Sequence, residues 1–285
     1  MSITRNFRCN RLPMILVLML SIQLLVSCGG AEDRKSNYFK RGMELYEQGN
    51  YVKAKLEFKN VLQIDPKDAE AHFMFGQIME KEQDWRNAYA LFLRAVELNP
   101  DHAGALVQLG RLYAMSGAPE KALESADKVL AQKPGDPAAM VLKGLAKARM
   151  GEKKDAVRDV EAAVKVDPAN VDAVSLLSAL YADLGDIDKA IDLARQGMEK
   201  NPKHMGLHLL LARMYEKTAN TKGTVELLNK MIELQPDNQS NRTRLAAYPH
   251  AKGNKAEAEK VLRGAITATP DSVDAKLALV DYLGR

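Results

Sequence analysis

The chain has 285 residues, 46% of them hydrophobic and 27% charged, enough to bury a sizeable core. Its formal charge of +4 is misleading, because Arg5, Arg8 and Arg11 crowd an N-terminal stretch with no acidic residue, and beyond it both signs alternate along the chain. That alternation excludes the one-sided basic face that a nucleic-acid partner requires. Two cysteines, Cys9 and Cys28, exclude both a disulfide framework and a thiolate metal cluster.

In chain order, the basic stretch is followed by an apolar run from Leu12 to Val26. The run is short for a membrane span, which needs roughly 20 apolar residues, and suits the hydrophobic region of a signal peptide. Leu25-Val26-Ser27-Cys28-Gly29 then resembles a bacterial lipobox, with a small residue before the cysteine. The resemblance implies that residues 1–27 are a lipoprotein signal peptide and that Cys28 is acylated and becomes the first residue of the mature protein. Residues 28–34 would be a lipidated polar tether. Gly29, where an Asp would favour inner-membrane retention, points to the periplasmic face of the outer membrane.

From residue 35 one period dominates. Pro66, Pro100, Pro134, Pro168, Pro202, Pro236 and Pro270 recur at one constant interval without an insertion. The period divides the chain into units 35–68, 69–102, 103–136, 137–170, 171–204, 205–238 and 239–272. An incomplete eighth unit, 273–285, carries a first helix only. The eighth residue of each unit is small (Gly42, Gly76, Gly110, Gly144, Ser178, Ala212, Ala246). So is the twentieth (Ala54, Ala88, Ala122, Ala156, Ala190, Thr224, Ala258). Small residues at these two places predict a hairpin whose helices cross closely. Gly49, Gly117, Gly151, Gly185 and Gly253, fifteenth in their units, suit a left-handed turn after the first helix, and the proline closes the second. Pro249 is expected to kink or shorten its helix.

This pattern is similar to the tetratricopeptide repeat (TPR) family over residues 35–285, with Gly76, Ala88, Phe92, Ala95 and Pro100 matching in the second unit. The resemblance implies an all-α, right-handed α-solenoid of TPR helical hairpins, seven full repeats and one extra helix, in which each hairpin depends on its neighbours. It also implies that ligand peptides lie along the first helices, at the second, fifth, ninth and twelfth positions. The fifth and ninth hold Phe39 and Met43, Phe73 and Gln77, Val107 and Arg111, Val141 and Leu145, Ser175 and Ala179, Leu209 and Arg213, and Thr243 and Ala247, with Tyr46 adding to the apolar N-terminal half. The bland alternative is that Phe39, Phe73 and Val107 only pack against adjacent helices. No ninth position holds Asn, so the family's carboxylate clamp is not expected.

Catalytic signals are missing. No phosphate loop, HExxH or GxSxG sequence occurs, so neither an enzyme, a metal nor a cofactor is expected. His204 and His208 have i, i+4 spacing but no third ligand beside them, and His72 and His208 are expected at helix contacts. Asp65, Asp101 and Asp167 read as turn residues, and Trp85 as structural. In the last segment Val273, Leu277, Leu279, Val280 and Leu283 leave no polar cap, which predicts either self-association of that end or the front part of a longer array. The segments Phe58-Lys59-Asn60-Val61-Leu62-Gln63 and Asp65-Pro66-Lys67-Asp68-Ala69-Glu70-Ala71, close behind a lipobox, resemble repeat-bearing lipoproteins of exosortase and exopolysaccharide systems. The expected function is a membrane-anchored scaffold that binds proteins or peptides of an envelope complex, against the alternative of a periplasmic peptide-binding chaperone.

Overall fold

The computed structural model describes residues 12–236, 238–251 and 254–284, and for residues 12–29, Gln239 and His250 the backbone alone. Arg5, Arg8, Arg11 and the side chain of Cys28 lie outside this described set. Among the described residues there are fifteen helices and no strand: α1 Leu12–Glu47, α2 Tyr51–Ile64, α3 Ala69–Lys81, α4 Trp85–Leu98, α5 Ala103–Met115, α6 Pro119–Gln132, α7 Pro137–Arg149, α8 Lys153–Val166, α9 Val171–Leu184, α10 Ile187–Lys200, α11 Met205–Lys217, α12 Thr221–Leu234, α13 Gln239–Ala251, α14 Lys255–Ala268 and α15 Val273–Leu283. From α3 onward the odd-numbered helices begin in step with the proline period, and from α2 onward so do the even-numbered ones. The chain forms two compact units, Met1–Leu112 and Tyr113–Arg285, and within each the helices stack in sequence as antiparallel neighbours.

The punctuation between helices follows from residue chemistry. The residue before each repeat proline is non-helical, and Asp65 (φ −132°, ψ 91°) and Asn99 (φ −135°, ψ 94°) are extended, because the proline ring disfavours the helical conformation there. Asp65 and Asp167 accept backbone N–H bonds from Lys67 and Ala169, both at 3.0 Å, which closes the turn. Two residues past the proline, Asp68, Asp136, Asn170 and Ser272 cap the next helix by accepting from the N–H of Ala71, Ala139, Ala173 and Ala275. Such caps stabilise a helix by about 1 kcal/mol each. Lys35 ties the first turn together, reaching Glu32 at 3.0 Å, Asp65 at 3.2 Å and Asp68 at 3.5 Å.

Inside the first six hairpins a left-handed residue reverses the chain, and Gly253 of the seventh lies outside the described residues. Gly49, Gly117, Gly151 and Gly185 have φ between +74° and +93°. The two repeats that lack this glycine keep the same conformation, with Gln83 at φ +60° and Ala219 at φ +55°. A side chain there costs about 1–2 kcal/mol. Ala219→Gly is therefore expected to raise the unfolding free energy by about 1 kcal/mol, read as a higher urea midpoint with an unchanged slope. A midpoint that fell instead would mean the alanine is held by contacts that outweigh its strain.

Within each unit, several hairpins bury a small first-helix residue against a larger second-helix one. The twentieth-position residues Ala54, Ala88, Ala156, Ala190 and Ala258 are fully buried. Over the eighth position sits the residue sixteen further on: a Cβ on Gly42 would lie 2.9 Å from Phe58, one on Gly76 2.6 Å from Phe92, and one on Gly144 would overlap Val160. Where the eighth residue is Ala212 or Ala246, its partner is Leu228 or Leu262, smaller than the two phenylalanines but larger than Val160, and also buried. Between α10 and α12, Leu211 packs with Ala190, Ala194, Leu227, Leu228 and Met231.

Two expectations need correction. Residues 30–34, expected as a tether, are helical and continuous with α1. Pro249 lies inside α13 without shortening it: the helix has 13 residues, as α3, α7 and α11 do. Packing on both α12 and α14 holds the helix across the missing N–H. Among the described residues no helix is long and apolar enough to cross a membrane.

Candidate partner-binding face of the first helices

The fifth and ninth positions of each first helix lie one turn apart on one face. In the first unit that face is largely occupied by its own packing. Phe39 meets Phe58 edge-on with ring centroids 5.5 Å apart, and Tyr46 lies 5.4 Å from Tyr51. Phe73 contacts Phe92 at 5.9 Å and His102 at 4.7 Å, and a Cβ on Gly104 would fall 2.8 Å from its ring. Phe73 thus joins α3 to both α4 and the start of α5. Asp at Phe39 or Phe73 would disturb the hairpin itself, so those positions cannot separate client binding from folding. Val107, at 9% exposure, is buried. Met43, Gln77 and Arg111 remain partly exposed.

His102 shows how the sequence reuses one side chain. Its Nδ1 accepts the Ala105 N–H at 3.1 Å as a helix cap, so the proton sits on Nε2, which donates to Glu70 at 2.9 Å. His72 Nε2 lies 3.0 Å from the Pro66 carbonyl, and the buried His208 lies 3.1 Å from the His204 carbonyl through Nδ1. No group of three metal-ligating side chains occurs among the described residues.

In the second unit the face is more open. Val141, Leu145, Ser175 and Leu209 are half-buried, with Val141 and Leu145 packed against core clusters, while Ala179, Arg213, Thr243 and Ala247 are exposed. Thr243 and Ala247 line an open cavity of about 400 Å³ between α13 and α15, together with Asp274, Leu277, Asp281 and Tyr282. Sequence reasoning named the two α13 residues but not the two aspartates, which carry no motif and become neighbours only when α15 stacks on α13. The residues that join one repeat to the next also escaped it. Tyr181 donates to Glu161 at 2.5 Å, and burial together with that carboxylate pushes its hydroxyl pKa up to about 12. Arg195 donates to the Tyr215 hydroxyl at 2.7 Å from the equivalent position one repeat later.

Trp85 departs from expectation. It opens α4 with nearly half its surface exposed, and Tyr89, one turn on, is also exposed.

Comparison with curated proteins finds no matching relative. Family profiles described as tetratricopeptide repeat match residues 36–68 and 79–146, and one described as the Psidin N-terminal TPR repeats region matches residues 114–241. Among solved structures, a TPR protein of Thermus thermophilus is 23% identical, with a TM-score of 0.56, over 63% of this chain and 98% of that one. PilW, a type IV pilus biogenesis factor, is 20% identical with a TM-score of 0.62 over 74% of this chain and 98% of its own. The pilF protein of Pseudomonas aeruginosa is 16% identical with a TM-score of 0.57 over 76% and 99%. Identities this low speak to the fold alone. With hairpins in step with the proline period and repeat profiles matching in both units, the chain is a member of the tetratricopeptide repeat family, and each unit is an all-α solenoid segment of helical hairpins.

Proposed function

We propose that this protein is a lipid-anchored scaffold or assembly factor of the bacterial envelope, acylated at Cys28 and binding a peptide or helix of a partner protein along its first helices. The observation that carries the binding half is the cavity between α13 and α15, an apolar cleft on the first-helix face with polar groups in its lining. The lipobox-like Leu25 to Gly29 supports the anchor, and Gly29 supports sorting to the outer membrane. The resemblance to exopolysaccharide- and exosortase-associated lipoproteins supports a role in that export. The exposed row Val273, Leu277, Val280 and Leu283 is where self-association would occur, and a monomer by light scattering at tens of micromolar would remove that part.

Two variants test the proposal. Cys28→Ala is expected to move the protein from the membrane to the soluble fraction and to abolish labelling by an alkyne fatty acid. Each buried methylene contributes about 0.8 kcal/mol, and two or three chains hold where one does not. Unchanged membrane retention without label would mean that the apolar N-terminal run is the anchor. Ala247→Arg should fill the cleft and remove the partner from envelope pulldowns while the circular dichroism spectrum stays the same. A scaffold predicts a fixed partner stoichiometry, and many substoichiometric clients would favour the chaperone.

A further inference from the structure

The outward face of the second helices is charged along most of the chain. Its eighteenth and twenty-second positions hold Glu120 and Glu124, Lys154 and Arg158, and Asp188 and Asp192 in the third, fourth and fifth repeats. In the first repeat the same two positions hold Val52 and Leu56, 76% and 59% exposed, on one face of α2. In the second repeat these positions hold Arg86 and Ala90, and one residue earlier Trp85 (46%) and Tyr89 (38%) stand exposed at the start of α4. Lys55, between Val52 and Leu56 in sequence, reaches Glu82 at 2.6 Å, three residues before Trp85, which ties α2 to the turn that opens α4. Two aliphatic and two amphipathic aromatic side chains, each pair set one helical turn apart, make an exposed apolar patch of the composition that anchors protein contacts.

Its border is basic. Lys53 and Lys59 lie three residues either side of Leu56, and Arg86 lies three before Tyr89, so each shares a face with a patch residue. All three are exposed and form no ion pair among the described residues. The nearby carboxylates are engaged: Glu57 by Arg41 at 3.0 Å, Glu82 by Lys55, and Asp84 by the backbone and side chain of Asn87.

We infer that this patch, on the face of the second helices and separate from the cleft proposed above, docks an acidic amphipathic helix of a different protein. Two other occupants fit less well. A second copy meeting the patch about a two-fold axis would set Lys53, Lys59 and Arg86 against their own counterparts. A bilayer is remote, in an argument that rests on the anchor reading. Val52 follows the turn at Gly49, at the far end of α1 from Gly30, and Gly30–Glu47 spans about 26 Å at a helical rise of about 1.5 Å per residue. The helix-in-groove mode of recognition then needs apolar anchors every third or fourth residue with Glu or Asp on the flanks.

Trp85 is the only tryptophan in the chain, so its emission reports occupancy of the patch directly. The test titrates the full chain with a synthetic amphipathic helix bearing Leu on one face and Glu on its flanks, and with its Lys-flanked counterpart. The expected result is a blue shift of Trp85 and binding of the Glu peptide at least about tenfold tighter than the Lys peptide. V52D/L56D should lose that affinity by about tenfold, and K53E/K59E/R86E should reverse the preference. Equal binding of the two peptides, or none, overturns the inference. So does a Trp85 shift on self-dilution without peptide, or Trp85 quenching by brominated phosphatidylglycerol vesicles. The readout does not involve Cys28, so it stands or falls apart from the anchor: peptide binding without acylation would refute only the anchor, and acylation without peptide binding only the docking surface.

Discussion

Phe92→Ala is expected to destabilise the first unit by about 3–5 kcal/mol, among the largest effects a single substitution can have in this chain. The ring is 1% exposed, lies over Gly76 and touches Phe73, so its removal leaves a cavity that two backbone segments would have to move to fill. The opposite change is informative. In an exposed helix, glycine to alanine stabilises by about 1 kcal/mol, yet Gly76→Ala places a Cβ 2.6 Å from the buried ring, and overpacking of this kind costs about 1–3 kcal/mol. Gly76→Ala should therefore be neutral to destabilising against its helix propensity. G76A/F92L recreates the pairing found at Ala212 with Leu228 and at Ala246 with Leu262. Its stability should exceed the sum of the single effects by about 1 kcal/mol or more in a urea-denaturation cycle. Additive single effects would show that the two positions do not meet as described.

Leu211→Ala is expected to cost about 2–5 kcal/mol, and its damage should stay local. Leu211 is 1% exposed and packs with Ala190 and Ala194 of α10 and with Leu227, Leu228 and Met231 of α12, so truncating it loosens two neighbouring hairpins at once. In a stack whose repeats contact only their neighbours, stability is a sum of local terms. Hydrogen exchange by mass spectrometry should lose protection in α10–α12 while α2–α4 keep theirs. Uniform loss of protection along the chain would show instead that both units unfold as one.

The family and the hairpin were legible because their determinants are spaced residues with local jobs. A proline ends a helix wherever it stands, and a small residue admits a crossing helix whatever its neighbours. What the residues did not reveal depended on context. Gln83 and Ala219 carry no turn signal, yet adopt left-handed φ because the stacked helices on either side impose the reversal. Pro249 reads as a breaker, but packing on both sides holds α13 at full length. Val107 has the register of a surface residue and is buried, and Phe39 and Phe73, which read as groove residues, spend much of their surface on Phe58 and Phe92. For Trp85, a large ring at a helix start suggests packing, and only the neighbouring helix shows how much of it stays outside. The cleft was half legible: Thr243 and Ala247 follow from register, whereas Asp274 and Asp281 join them through stacking.

The size-matched pairs lie within a single hairpin, since Gly76 and Phe92, or Ala212 and Leu228, belong to one and the same repeat. Each hairpin therefore carries its own internal fit when it is moved. The joints are uniform as well: every second helix closes on a non-helical residue before proline, and each new first helix begins the same distance later. A gene encoding such a chain can gain or lose one whole module by unequal crossing-over without breaking a helix, changing only side chains at the seam such as Glu161 with Tyr181. Reach can then evolve in steps of one hairpin while the fold of every module stays the same.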